Sequence, residues 1–129
     1  MEDLIVQLEV IRIAAKQIHY SEHGESFYGN HLLMDEIAEP MIELEDEIIE
    51  SVILANTNTP PNLANIYSQI ASKTLKNPSK NDLANQIKET IFFIEKLASK
   101  EGFQGDSDLL GRISNKLRKL FALLSRVIS

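Results

Sequence analysis

Apolar residues recur three and four positions apart in four separate stretches of this chain, and that periodicity commits it to helices. In the first stretch Leu4, Leu8, Ile11, Ala15 and Ile18 step by four, three, four and three. Such spacing keeps one stripe on one face of a 3.6-residue turn. The predicted helix covers residues 3–21, with Arg12 and Lys16 off the stripe, and breaks at Gly24. A second helix is predicted over residues 26–55, long for a chain of this size. Pro40 falls in its middle, where it removes a backbone donor and should kink the helix.

Residues 56–61 (NTNTPP) read as a linker, and Leu63, Ile66, Tyr67, Ile70 and Ala71 mark a short helix after it. Residues 76–79 form another break, where Ser79 followed by Asp82 resembles a capping box. Leu83, Ile87, Ile91, Ile94 and Ala98 define a third long helix that stops at residues 102–105. Asp106 or Ser107 can cap the last helix, whose stripe is Leu110, Ile113, Leu117, Leu120, Leu124 and Ile128. Four long helices, with a short one between the second and third, predict an all-α fold. The arrangement is an antiparallel four-helix bundle with one long crossover, the ferritin-like variant. At 129 residues the chain reads as one domain, residues 1–129.

Composition narrows the chemistry. With no cysteine, disulfides, zinc–thiolate sites and thiol nucleophiles are excluded. The opening MEDLIVQLEV has no basic region before its apolar residues, unlike a signal peptide. No apolar run approaches the roughly 20 residues of a membrane span, so a cytoplasmic protein is expected. The net charge of −6 argues against general nucleic-acid binding.

The stretch 19–50 holds all three histidines and ten of the nineteen acidic residues, while residues 17–72 contain no Lys or Arg. So many carboxylates without a cation in sequence call for a metal, a basic partner or water. His31 and Asp35 lie four apart and share a helix face, and so do Asp46 and Glu50. Eleven residues separate the two pairs, which places them within about 20° around the helix but about 16 Å apart along it. Metal–ligand bonds of about 2 Å cannot span that gap within one chain. Two copies of the helix, antiparallel about a two-fold axis near Pro40 and Met41, could bring one copy's pair against the other's. His19 follows the core-side stripe of the first helix and could join as a fifth ligand. Imidazole with carboxylate suits iron, manganese or zinc.

This constellation resembles the ferroxidase motif of the Dps family of mini-ferritins. A His, a second His twelve residues on, an Asp four further, another Asp eleven further and a Glu four further are here His19, His31, Asp35, Asp46 and Glu50. Gly24 and Phe27 repeat the family's spacing toward His31, whereas Tyr20 stands for the usual Trp and Ser51 for the usual Arg. The resemblance implies a di-iron centre at a two-fold subunit interface. Asp46 and Glu50 of one subunit would share an iron with the neighbour's His19, and His31 with Asp35 would hold a weaker second iron. It further implies a homo-oligomer, a dodecamer, that oxidises iron(II) with hydrogen peroxide or dioxygen and stores the product. The protein would then limit iron-driven oxidative stress. DNA binding in the family often depends on a Lys-rich tail, which Met-Glu-Asp does not supply, so none is expected.

His23 matches no motif and reads as a surface residue. Glu36, Glu39, Glu43 and Glu47 form a second acidic stripe, a solvated face or, in a closed shell, an inner wall for mineral. Met34 and Met41 read as packing, and Phe92 with Phe93 as core or subunit contact. Arg112, Lys116, Arg118, Lys119 and Arg126 complement the last helix dipole and acidic neighbours in an assembly. The alternative to iron chemistry is a non-catalytic helical bundle whose acidic second helix docks on a basic partner.

Overall fold

The structure, a computed structural model, describes residues 1–100 and 104–128. Its first helix, α1 (Glu2–Ser21), buries the predicted stripe Leu4, Leu8, Ile11, Ala15 and Ile18, and also Ile5, Val6, Val10 and Ala14. A helix apolar over so much of its circumference belongs in the middle of a bundle. Accordingly α1 packs against α2 (Phe27–Ile48), α4 (Leu63–Lys73) and α5 (Lys80–Ala98), while α6 (Gln104–Ser125) packs on α5 and α2. The four long helices form the antiparallel bundle, α4 lies in the crossover, and no strand occurs among the described residues.

Every long helix contributes to one contiguous core, among them Ile11, Met41, Ile87 and Leu117, all at 0% exposure. Each such side chain contributes about 1.5–3 kcal/mol by leaving water. The stripe of α4 is only half used: Ile66 and Ile70 are buried, but Leu63 and Tyr67 face outward.

Gly24 makes the turn between α1 and α2. Its φ of 91° is open to glycine at little cost, and its carbonyl accepts the amide of Phe27 at 3.2 Å. Beyond it α2 continues unbroken through Pro40. The change in helical hydrogen bonding comes later, as a π-helical segment Ile49–Leu54, before a last turn α3 (Ala55–Thr57). The helix therefore outruns its predicted end, and Asn58, in the left-handed region at φ 54°, terminates it. Asparagine tolerates that conformation better than most residues.

The capping box forms as predicted: Ser79 Oγ accepts the Asp82 amide at 3.0 Å, and Asp82 Oδ2 accepts the Ser79 amide at 2.9 Å. The expected caps of α6 are different. The helix has already begun at Gln104, so Asp106 and Ser107 sit inside its first turn. Asp106 is buried and accepts from Asn56 Nδ2 at 2.9 Å, and Ser107 Oγ donates to the Ala98 carbonyl at 3.2 Å. Both side chains are spent on contacts to other elements, which sequence spacing does not reveal. Of the expected break at 102–105, residues 102 and 103 lie outside the described residues.

Candidate metal centre

His19 occupies the last turn of α1 and is 7% exposed, while His31 occupies the first turns of α2. The glycine turn folds the two helices back so that their rings stack, with centroids 3.5 Å apart and planes 23° from parallel. Phe27 leans on His31 with its centroid at 4.8 Å, and Tyr20 meets His19 edge-on at 5.2 Å. His19 Nδ1 lies 2.8 Å from the His31 carbonyl oxygen, and His31 Nδ1 lies 3.2 Å from the His19 carbonyl oxygen. A carbonyl only accepts, so each Nδ1 carries the proton. In a neutral ring that leaves the Nε2 lone pair for a metal, the arrangement in which a backbone carbonyl fixes the tautomer of a ligating histidine.

Asp35 joins them, its Oδ1 3.4 Å from His19 Nδ1 and 2.9 Å from Lys16 Nζ. The hydrogen bond from Lys16 holds the Asp35 carboxyl below its ordinary range, against the opposing effect of burial. The same bond raises Lys16. A cation thus already sits on Asp35, an ammonium where a metal would compete.

Asp46 and Glu50 are at the far end of α2, both exposed, and Glu50 belongs to the π-helical segment. The four-residue step from Asp46 to Glu50 is therefore not purely α-helical, contrary to the simple face-sharing argument. The structure brings His19, His31 and Asp35 together and leaves Asp46 and Glu50 apart from them. Among the described residues of one chain, no group of three His, Cys, Asp or Glu side chains is placed to hold a metal ion.

A second carboxylate cluster escaped the sequence reading. Glu9 and Glu45 are buried between α1 and α2, at 6% and 8% exposure. Arg12 grips Glu9 through Nε at 2.6 Å and Nη2 at 2.9 Å. Burial pushes Glu9 upward, but the hydrogen bonds from Arg12 and Glu45 and the charge of Arg12 outweigh it and hold its carboxyl low. Glu45 makes no salt bridge among the described residues. Burial, then the hydrogen bond with Glu9 and that group's negative charge, push it up to about 9, and the charge of Arg12 only partly offsets them. One signal was legible: Glu45 takes the core slot between Met41 and Ile48 in the stripe of α2. The other acidic stripe, Glu36, Glu39, Glu43 and Glu47, is exposed as predicted, and so is His23.

The sequence matches no family model and no curated protein. The structure does match a solved one, a Dps from Microbacterium arborescens in its high iron form. The TM-score is 0.79 over 95% of this chain and 86% of that one, at 13% sequence identity. The fold is ferritin-like. In that ferritin-like frame the histidines sit where α1 hands over to α2, Asp46 sits about four turns beyond His31 along α2, and Glu50 follows in the π-helical segment. No helix among the described residues is long and apolar enough to cross a membrane.

Proposed function

We propose that this chain is a mini-ferritin that oxidises iron(II) at sites shared between two subunits and stores the iron in a closed shell. The observation that carries the reading is the reciprocal Nδ1–carbonyl pairing of His19 and His31, which leaves both Nε2 lone pairs free, with Asp35 Oδ1 3.4 Å from the His19 ring. Asp46 and Glu50 complete the set from a neighbouring copy, with Glu50 bridging. Iron is the substrate, and hydrogen peroxide or dioxygen the oxidant.

A second copy also accounts for an exposed apolar stripe. Tyr28, Leu32, Asp35, Ile42 and Asp46 follow one another on α2 by four, three, seven and four residues, a heptad-like seam. Tyr28 is 72% exposed and Ile42 52%, and Leu63 and Tyr67 of α4 extend the patch. The same seam carries the site carboxylates, so covering it and completing the site are one event. Twelve such copies would make the shell that the motif implies, with Glu36, Glu39, Glu43 and Glu47 available as its inner wall.

Within the site, the protein's own contribution is positioning. Backbone carbonyls orient both imidazoles, Asp35 would exchange the Lys16 ammonium for a metal cation, and Phe27 packs on the His31 ring. Carboxylates suit both iron(II) and iron(III), which lets one ligand set serve before and after electron loss. The test is iron oxidation by the purified protein, followed as iron(III) absorbance beside a buffer control. Acceleration that disappears in His19→Ala and in Asp46→Ala supports the reading. Oxidation no faster than buffer, or a particle that stays monomeric, overturns it.

A further inference from the structure

Past Ile48 the second helix changes its winding, and the residues around that change are tied at both ends. The π-helical segment Ile49–Leu54 contains no proline or glycine, so neither of those local causes imposes it. Such segments are rare and occur frequently at functional sites. Its flanks are tighter. The Ile49 amide is shared between the carbonyls of Glu45 and Asp46, and the Ala55 amide returns to the carbonyl of Val52. Ile48 is 0% exposed and Val52 3%, so this face is fixed in the core. Downstream, Asn56 Nδ2 donates to Oδ2 of the buried Asp106 on α6 at 2.9 Å. Thr57 Oγ1 and the Asn58 amide then close the helix end on the carbonyls of Ile53 and Leu54.

An α-helix advances about 40° beyond a full turn with every four residues. Ile48, Val52 and Asn56 are spaced by four. An unbroken α-helix would therefore carry Asn56 about 80° away from the face that buries Ile48. A π turn, bonded between residues i and i+5, winds more slowly and removes much of that drift. Both anchors can then be met at once, the core through Ile48 and Val52 and α6 through Asn56. Glu50 is the second residue of the slow turn, so part of the correction falls between it and Asp46. The two carboxylates stand nearer to one line along the helix than α-helical spacing would leave them. Groups of a binding site must be held to within about 10–20°, less than the roughly 40° offset of an α-helix. We propose that the π-helical segment, locked by the Asn56–Asp106 hydrogen bond, is a positioning device that lines up Glu50 with Asp46 for iron. Asn56 is then a positioning residue, and its role rests on the mini-ferritin reading above.

Cobalt(II), titrated into the full-length protein in its native assembly, reads ligand placement through its visible absorption and needs no turnover. Asn56→Ala should weaken cobalt binding by about tenfold or more, as loss of a contact supporting a metal ligand does. Asp106→Asn keeps an acceptor for Asn56 and should bind as the wild type does, although it removes a charge from the first turn of α6. Deletion of the exposed Ser51 lets the segment wind as an α-helix and should weaken binding similarly. That deletion keeps Asn56 and Asp106, and it repeats the test should Asn56→Ala assemble poorly. In a Glu50→Gln background neither change should weaken binding further, because the lock acts only through Glu50. Binding unchanged in both Asn56→Ala and the deletion overturns the proposal, as does a loss equally large in the Glu50→Gln background. A loss in Asp106→Asn equal to that in Asn56→Ala also overturns it, being the mark of a contact that serves stability alone. Should the variants match a wild type that binds cobalt and oxidises iron, this proposal fails alone. A wild type that does neither fails the mini-ferritin reading, and this one with it.

Discussion

His19 and His31 each hold the other's backbone: the Nδ1 of one ring lies 2.8 Å, and of the other 3.2 Å, from the opposing carbonyl oxygen. The pair therefore serves two purposes at once. It fastens the end of α1 to the start of α2, and it fixes which nitrogen of each ring is free. A stability effect and a metal-binding effect of mutating either histidine are expected together, and the predictions below are chosen to separate them.

If the site is assembled from two subunits, two inactive variants should complement each other. A His19→Ala subunit paired with an Asp46→Ala subunit concentrates both defects in one of its two sites and leaves the other intact. Random pairing of equal amounts should then restore about a quarter of the wild-type sites, since half of two-fold pairs are mixed. Iron oxidation measured after co-refolding checks this. A mixture as inactive as its components would place the ligands within one chain.

Assembly should depend on the apolar seam. Ile42→Lys puts a charge in the middle of a patch that includes Leu63 and Tyr67, all more than half exposed in the single chain. Light scattering should show the large particle falling to small species while circular dichroism keeps the helical signal. A variant that assembles normally would move the contact elsewhere.

The pH dependence of stability should carry the mark of Glu45 in the metal-free protein. Its folded carboxyl, raised to about 9 from 4.5, keeps a proton that the unfolded chain gives up. Stability from this group is therefore fully present below 4.5 and declines as pH rises through the interval up to about 9. Glu9, held low, acts in the opposite sense: its contribution is present above 4.5 and is lost as pH falls further. Urea titrations between pH 5 and 9 should show a falling midpoint in the wild type and a flatter one in Glu45→Gln. Equal slopes in the two proteins would contradict the assignment.

Local and core contributions should differ in size. Ser79→Ala removes one half of the capping box at the start of α5 and should cost about 0.5–2 kcal/mol. Leu117→Ala, at a fully buried position of α6, should cost about 2–5 kcal/mol. Denaturant unfolding of both variants checks the order, and an equal loss would mean that α6 collapses around the missing side chain.

The sequence by itself determined the helices, because spacing of three and four is a property of neighbours along the chain. Its stripes named most of the core, from Leu4 in α1 to Leu124 in α6, and Ser79 with Asp82 announced the capping box of α5. It also marked His19, His31, Asp35, Asp46 and Glu50 as a set worth testing. Only the tertiary structure decided what surrounds them. That Lys16 sits on Asp35, that the two histidines stack, and that Glu50 falls in a π-helical segment are matters of where separate helices meet and how the backbone winds. Glu45 shows the reason most plainly. In sequence it is one more acid in an acidic helix, and only the packing of α1 against α2 takes it out of water and sets it against Glu9.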